Sequence, residues 1–295
     1  MFIDYLNFYN KRINNFLISV FNNIDFKNSK LFDAMKYSTL LGGKRIRPCL
    51  IYFIGDILNV NLNNLDVIAA TIEVIHSYSL IHDDLPSMDN SLVRRGKPSC
   101  HTKFNEFTAI LSGDALQSLA FSILSSKSMF KVSSSIRLKM IYELSKSIGI
   151  SGLCMGQYLD LKSKDVVITK NYLEKVFFYK TCLLINTSIK LVCLNKNISR
   201  NHKINKDLYK YSTIISLAYQ INDDISDFKY DKIVNKKFKN KKYNYVSLVG
   251  LDRAKFRVLD LYNKAIFILK KLAKKNYLKI ELLKSFTKYM VNFDK

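Results

Sequence analysis

The chain has 295 residues, 48% of them hydrophobic, with 9 Gly, 3 Pro and a net charge of +23. Its length and apolar content exclude an intrinsically disordered chain and allow a sizeable core, and so few turn formers argue for long helices over a many-turned β fold. Five scattered cysteines with no CxxC pair exclude a disulfide framework and a cysteine zinc site, and fit reduced thiols in a cytoplasm.

The positive charge suggests nucleic acid, a membrane surface or an anionic substrate. Yet Lys, Asn and Ile abound everywhere in the sequence, which reads as compositional drift, so the charge decides little. At the N-terminus, MFIDYLNFYNKRINNF is polar too early to be a signal peptide. No uninterrupted apolar run reaches membrane-spanning length. The best, Val67 to Ile81, is broken by Glu73 and His76, so membrane insertion is not expected.

In chain order, Lys44, Arg45 and Arg47 follow a Gly42-Gly43 turn, and Pro48 marks a helix boundary. Val67–Ile81 carries helical periodicity at Val67, Ala70, Val74 and Ile81. Asp83, Asp84 and, beyond a break at Pro86, Asp89 end this segment; Arg94 and Arg95 come shortly after. Phe104–Leu124, Leu173–Leu194 and Leu208–Phe228 read as further helices. The last ends in Asp223, Asp224 and Asp227, with Gln220 one turn earlier on nearly the same face. Lys229–Lys242 (KYDKIVNKKFKNKK) has no apolar period and reads as a solvated loop.

Clustered carboxylates repel one another and need counter-charge. Hard oxygen ligands suit Mg²⁺, which is often held by one or two carboxylates plus substrate phosphates. Arginines bind phosphate bidentately and lysines act as point charges. Carboxylates and arginines this close in sequence are either surface ion pairs or two halves of a site for metal-bound diphosphate; spacing alone leaves both open.

The stretch EVIHSYSLIHDDLPSMDNSLVRRGKPSCHTKF (Glu73–Phe104) resembles the first aspartate-rich region of the trans-isoprenyl diphosphate synthases (polyprenyl synthetases). LGGKRIRP (Leu41–Pro48), GQYLDL (Gly156–Leu161), Lys180-Thr181 and LAYQINDDISDF (Leu217–Phe228) are similar to four further motifs of that family, in its order. The resemblance implies an all-α, single-domain isoprenoid synthase fold over residues 1–295, with antiparallel helices around a central active-site cavity, usually as a homodimer. It implies three Mg²⁺ ions held by Asp83, Asp84 and Asp89 on one wall and by Asp223, Asp224 and Asp227 on the other. Arg94, Lys180, Lys237 and Lys242 would grip an allylic diphosphate. Gly43, Lys44, Arg47, His76 and Arg95 would bind isopentenyl diphosphate. Lys180, Thr181 and Gln220 would serve the reacting carbons, and no protein nucleophile is required.

The four residues between Asp84 and Asp89 resemble bacterial short-chain synthases, chiefly those making farnesyl diphosphate. Tyr78, with Ser79 beside it, lies about 7.5 Å along a helix axis before Asp83 and would limit the product to C15. The alternatives are a geranyl or geranylgeranyl product, or a degenerate, non-catalytic prenyl-diphosphate-binding subunit. A terpene cyclase would leave the basic motifs unused, and a nucleic-acid-binding protein rests on charge alone. The sequence departs from the family at Asn90 and Ser91, where further aspartates are common. Lys236 and Lys241 stand at glycine positions of a shortened basic flap, which is expected to impair its closure and turnover. Val246 stands where proline is common.

Overall fold

The computed structural model describes residues 1–127, 129–199, 202–233, 243–272 and 277–291. Lys236, Lys237, Lys241 and Lys242 lie outside the described residues. The chain divides into two compact units, Met1–Ile141 and Tyr142–Lys295. Both are helical; among the described residues the strands are two dipeptides.

The first unit holds α1 (Phe2–Asn22), α2 (Lys30–Leu40), α3 (Ile46–Ile57), α4 (Leu62–Asp83), α5 (Cys100–Lys103) and α6 (Glu106–Ser125). Helix α1 buries Leu6, Tyr9, Ile13, Leu17 and Phe21, a stripe at three- and four-residue spacing. Helix α4 differs: sixteen of its residues are buried, on every side, because α1, α2, α3 and α6 all pack on it. The periodicity expected for Val67–Ile81 therefore marks a central helix rather than a surface one. Its N-terminal half is pinned by Asp66, which accepts from Arg12 Nε (2.7 Å) and Tyr52 Oη (2.7 Å).

Pro48 sits inside the first turn of α3, not at its boundary, where its missing N–H is an orphan in any case. Pro86 falls just past the end of α4, as expected. Beyond it, β1 (Val93–Arg94) and β2 (Lys97–Pro98) pair antiparallel, with Val93 opposite Pro98. Arg95 (φ 53°) and Gly96 (φ 74°) both turn left-handed between them, the geometry of a type I′ hairpin.

The second unit takes α7 (Ser134–Ile148) across its boundary and then α8 (Leu153–Lys162), α9 (Lys170–Phe177), α10 (Leu183–Asn195), α11 (Lys203–Ile233), α12 (Tyr245–Val249), α13 (Leu251–Leu272) and α14 (Tyr277–Met290). The single helix expected over Leu173–Leu194 is divided: a π-turn at Phe178–Cys182 joins α9 to α10. Helix α11 buries Leu208, Tyr211, Ile215, Ala218, Ile221 and Ile225 against α10 and α13. It continues through Ile233, so the loop expected from Lys229 is helix for its first five residues.

Two segments, Glu106–Ser125 and Lys170–Asn195, are helical, long and apolar enough to cross a membrane, which corrects the reading from uninterrupted runs. In Lys170–Asn195 most of the apolar window, 67%, is buried within the fold, as in a core helix of a soluble protein.

Candidate active site

In the first unit the glycine turn and the hairpin meet. Gly43 has φ 120°, and a Cβ there would lie 2.7 Å from Arg95 Cζ. Only glycine leaves the Arg95 guanidinium room to donate to the Gly42 carbonyl. Arg45 is also left-handed (φ 47°), and its side chain turns inward rather than joining Lys44 in solvent. It donates to Glu73 Oε1 (2.6 Å), the Thr39 carbonyl (2.9 Å) and Asn14 Oδ1 (3.1 Å). Arg45 and Glu73 are 4% and 2% exposed, so this pair is a buried strut that holds the basic turn against α4.

His76, one turn beyond Glu73, is held well below the ordinary imidazole value by burial first. The positive charges of Arg47, Arg95, Arg45 and Arg94 lower it further. Arg95 is itself lowered, again chiefly by burial. The positive charges of half-buried Arg47 and exposed Arg95 thus converge on half-buried His76, which they hold neutral.

The first aspartate cluster is made by a reverse turn. Asp89 N–H donates to the Asp83 carbonyl (3.0 Å), Ser91 N–H to that of Asp84 (3.1 Å) and Asn90 N–H to that of Leu85 (3.0 Å). The four-residue spacer therefore folds back and sets Asp89 beside Asp83. Asn90 adopts φ 49°, a conformation that Asn tolerates better than most residues. Asp83 is half-buried and Asp89 exposed, whereas Asp84 is 2% exposed and clasped by Arg94 through Nε (3.1 Å) and Nη2. That bond, with the charges of Asp84, Asp83 and Asp89, raises Arg94 above its ordinary value.

Tyr78 is buried with its ring edge-on to His82 (centroids 5.8 Å apart). His82 Nε2 reaches the Ile110 carbonyl (3.0 Å) on α6 and occupies the space a Cβ at Gly113 would need. Five residues correspond to about 140° round the helix, so Tyr78 projects away from the Asp83 face. Ser79, four residues before Asp83, shares that face, and its hydroxyl donates to the His76 carbonyl (3.0 Å).

In the second unit, Lys180 and Thr181 stand on the π-turn, where i→i+5 bonding re-aims two successive side chains. Thr181 Oγ1 donates to Gln220 Oε1 (3.1 Å), so these two expected partners do meet. Lys180 Nζ lies 2.5 Å from Asp160 Oδ2. A Cβ at Gly156 would fall 2.3 Å from Lys180 N, so GQYLDL serves as a platform: its glycine admits the π-turn backbone and its aspartate holds the lysine. On α11, Asp223 is half-buried and Asp227 exposed. Asp224 is 2% exposed and accepts from the Tyr245 N–H (2.7 Å).

Among the described residues no three His, Cys, Asp or Glu side chains are already gathered as a metal cage. The donors present are carboxylate oxygens too few to enclose an ion, which fits Mg²⁺ completed by phosphate oxygens and water, and not a structural zinc.

Residues 28–289 match the polyprenyl synthetase family. The chain belongs to that family. It is 48% identical over 285 residues to the farnesyl diphosphate synthase of Buchnera aphidicola subsp. Schizaphis graminum, covering 96% of each chain. The geranyltransferase structure from Legionella pneumophila superposes with a TM-score of 0.89 at 33% identity, covering 99% of this chain and 96% of that one. The Helicobacter pylori geranyltransferase complexed with magnesium and isoprenyl diphosphate superposes with a TM-score of 0.82 at 31% identity, covering 97% of each. The fold is thus that of the isoprenyl synthases, all-α as expected.

Four residues of this polyprenyl synthetase had no role assigned from sequence. Glu73 is a carboxylate set within the apolar run Val67–Ile75, a signal that a buried cation accompanies it. Gly156 and Asp160 sit in a motif whose purpose appears only once the π-turn is seen. Tyr245 follows the basic stretch and carries no sequence signal. Val246 spends its N–H on the Asn244 side chain (2.7 Å), within a capping box that a proline there would deprive of one bond.

Proposed function

We propose that the protein is a farnesyl diphosphate synthase, a prenyltransferase that condenses isopentenyl diphosphate with dimethylallyl and then geranyl diphosphate. The observation that carries this reading is the pairing, within one unit, of cations that converge on His76 (Arg47, Arg95) with an aspartate turn (Asp83, Asp89). A terpene cyclase has no use for the first, and a simple phosphate-binding protein has none for the second.

In this reading Gly43, Lys44, Arg47, His76 and Arg95 hold isopentenyl diphosphate. Neutral His76 donates a hydrogen bond to it without adding charge. Arg94, Lys180, Lys237 and Lys242 hold the allylic diphosphate. Asp83, Asp89, Asp223 and Asp227, which reach solvent, would hold Mg²⁺, three ions per site, which would supply positive charge for the departing diphosphate. The allylic C–O bond breaks with its electron pair leaving on diphosphate. Thr181 and Gln220, oriented by their mutual hydrogen bond, turn oxygen lone pairs toward the allyl cation. The isopentenyl double bond forms the new C–C bond from its fixed position, and a proton passes to the released diphosphate. Ser79, on the Asp83 face, limits the chain to C15, with buried Tyr78 backing it.

The whole chain works as one polyprenyl synthetase domain and as a homodimer. The support is α6: apolar along its length, it has only 44% of its window buried and exposes Phe107 (66%), Ile110 and Leu111, a face that a second copy would cover. Five free cysteines, four of them buried, fit a reducing cytoplasm.

The test is incubation of the purified protein with labelled isopentenyl diphosphate, each allylic diphosphate in turn and Mg²⁺, with products separated by length. A C15 product lost in EDTA supports the reading. A C10 or C20 product keeps the reaction and overturns the product assignment. No condensation with any allylic partner removes the enzyme reading.

A further inference from the structure

The two aspartates of the pair Asp223–Asp224 are adjacent in sequence but about 100° apart round α11. Asp223 shares its face with Asp227, and both reach solvent. Asp224 turns into the fold, where its carboxylate accepts the Tyr245 N–H at 2.7 Å and its carbonyl accepts Asn244 Nδ2 at 2.9 Å. Asn244 is itself the N-cap of α12, its side chain taking the N–H groups of Val246 (2.7 Å) and Ser247 (3.1 Å). The Tyr245 hydroxyl donates to Glu174 Oε1 on α9 (3.0 Å), and Glu174 in turn meets Arg257 on α13 (3.5 Å). Asp224, Asn244 and Tyr245 are 2%, 3% and 1% exposed. One carboxylate thus joins the metal-bearing turn of α11 to α12 and, through Tyr245, to α9 and α13.

We propose that Asp224 is a positioning residue and not a metal ligand: it accepts the Tyr245 N–H and so locks the rotation of the α11 turn that presents Asp223 and Asp227. A backbone N–H is a fixed donor, and Asp224, which receives it on Oδ2, is 2% exposed and stands about 100° round the helix from Asp223. A metal ligand needs its negative charge, whereas an N–H acceptor needs only an oxygen, which asparagine supplies in the same place. This assignment rests on the metal-dependent reading above and refines the role of one carboxylate within it.

The experiment compares Asp224→Asn, Asp224→Ala, Asp223→Asn and Asp223→Ala in the full chain. Amide exchange and thermal melting are read without metal or substrate, and condensation is read across a Mg²⁺ titration. Asp224→Ala is expected to lose protection at the Tyr245 amide and melt below wild type, while Asp223→Ala keeps that protection. Asp224→Asn is expected to restore the protection, to hold kcat/KM within about fivefold and to leave the half-saturating Mg²⁺ concentration within about twofold of wild type. Asp223→Asn is expected to raise that concentration more than about tenfold, the scale on which a lost charged contact acts. A Mg²⁺ requirement that rises equally in Asp224→Asn and Asp223→Asn overturns the proposal, as does unchanged Tyr245 exchange in Asp224→Ala. Should wild type fail to condense at all, the metal-dependent reading fails, and the exchange and melting comparison still decides the clasp.

Discussion

The two aspartate clusters follow one pattern in burial and diverge in what they hold. In each, the first aspartate is half-buried, the second is 2% exposed and the last is exposed. The buried member in the first unit, Asp84, grips a mobile charge, the Arg94 guanidinium; in the second unit, Asp224 grips a backbone N–H. The surroundings differ in kind as well. Arg45, Asn90 and Arg95 all stand in left-handed backbone beside the first cluster, on turns and a hairpin. Each such residue costs about 1 kcal/mol. The second cluster is served from helices and a π-turn, and among the described residues the second unit has a single non-glycine left-handed residue, Asn197. Strained loops bring many cationic side chains to one spot, which is what gripping a diphosphate requires. Helices fix a few groups rigidly, which is what orienting a cation requires. Arg94 is held through its side chain, which can rotate, and Tyr245 through its backbone.

The comparison breaks most visibly at Asp84. Asp84→Ala removes the counter-charge of Arg94 and is expected to lower stability by about 2 kcal/mol, as read from urea unfolding without metal. If Arg94 can leave Asp84 for phosphate, Arg94→Met raises the KM for the allylic substrate by about tenfold or more; an unchanged KM would make the pair purely structural. In the rigid half, Gly156→Ala drives a Cβ into the Lys180 backbone and is expected to cost about 1–3 kcal/mol. It should lower kcat more than KM, because Thr181 and Gln220 lose register; a fall in melting temperature with kcat intact would separate the platform from the chemistry.

The smallest effect is one of pH and belongs to the loop-built half. His76 in the fold is held well below its unfolded value of about 6.5. The unfolded chain therefore binds the extra proton first, so the stabilising contribution is present above pH 6.5 and is lost as pH falls below it. His76→Gln is expected to flatten the stability profile of the free protein between about pH 6.5 and 5 relative to wild type. A slope unaffected by this substitution would place the acid sensitivity elsewhere.

Much of this was legible beforehand because the motifs are local. Poverty in glycine and proline fixes the helical class, since chains without turn formers cannot make many turns. Two aspartate clusters after apolar segments announce a need for counter-charge, since like charges set close together repel. The sequence also places Gln220 on the right helix, though not Lys180 and Thr181 on a π-turn. Tertiary structure alone decided the rest. Which of two adjacent aspartates turns inward depends on what packs against α4 and α11, as the burial of Asp84 and Asp224 shows. That Arg45 is a buried strut while Arg47 is only half-buried depends on a left-handed turn that no residue type announces. The π-turn under Lys180 exists because Gly156, twenty-four residues earlier, leaves space for it. Spacing along a chain specifies which groups are present; direction round a helix, and the neighbour each group meets, are set by packing.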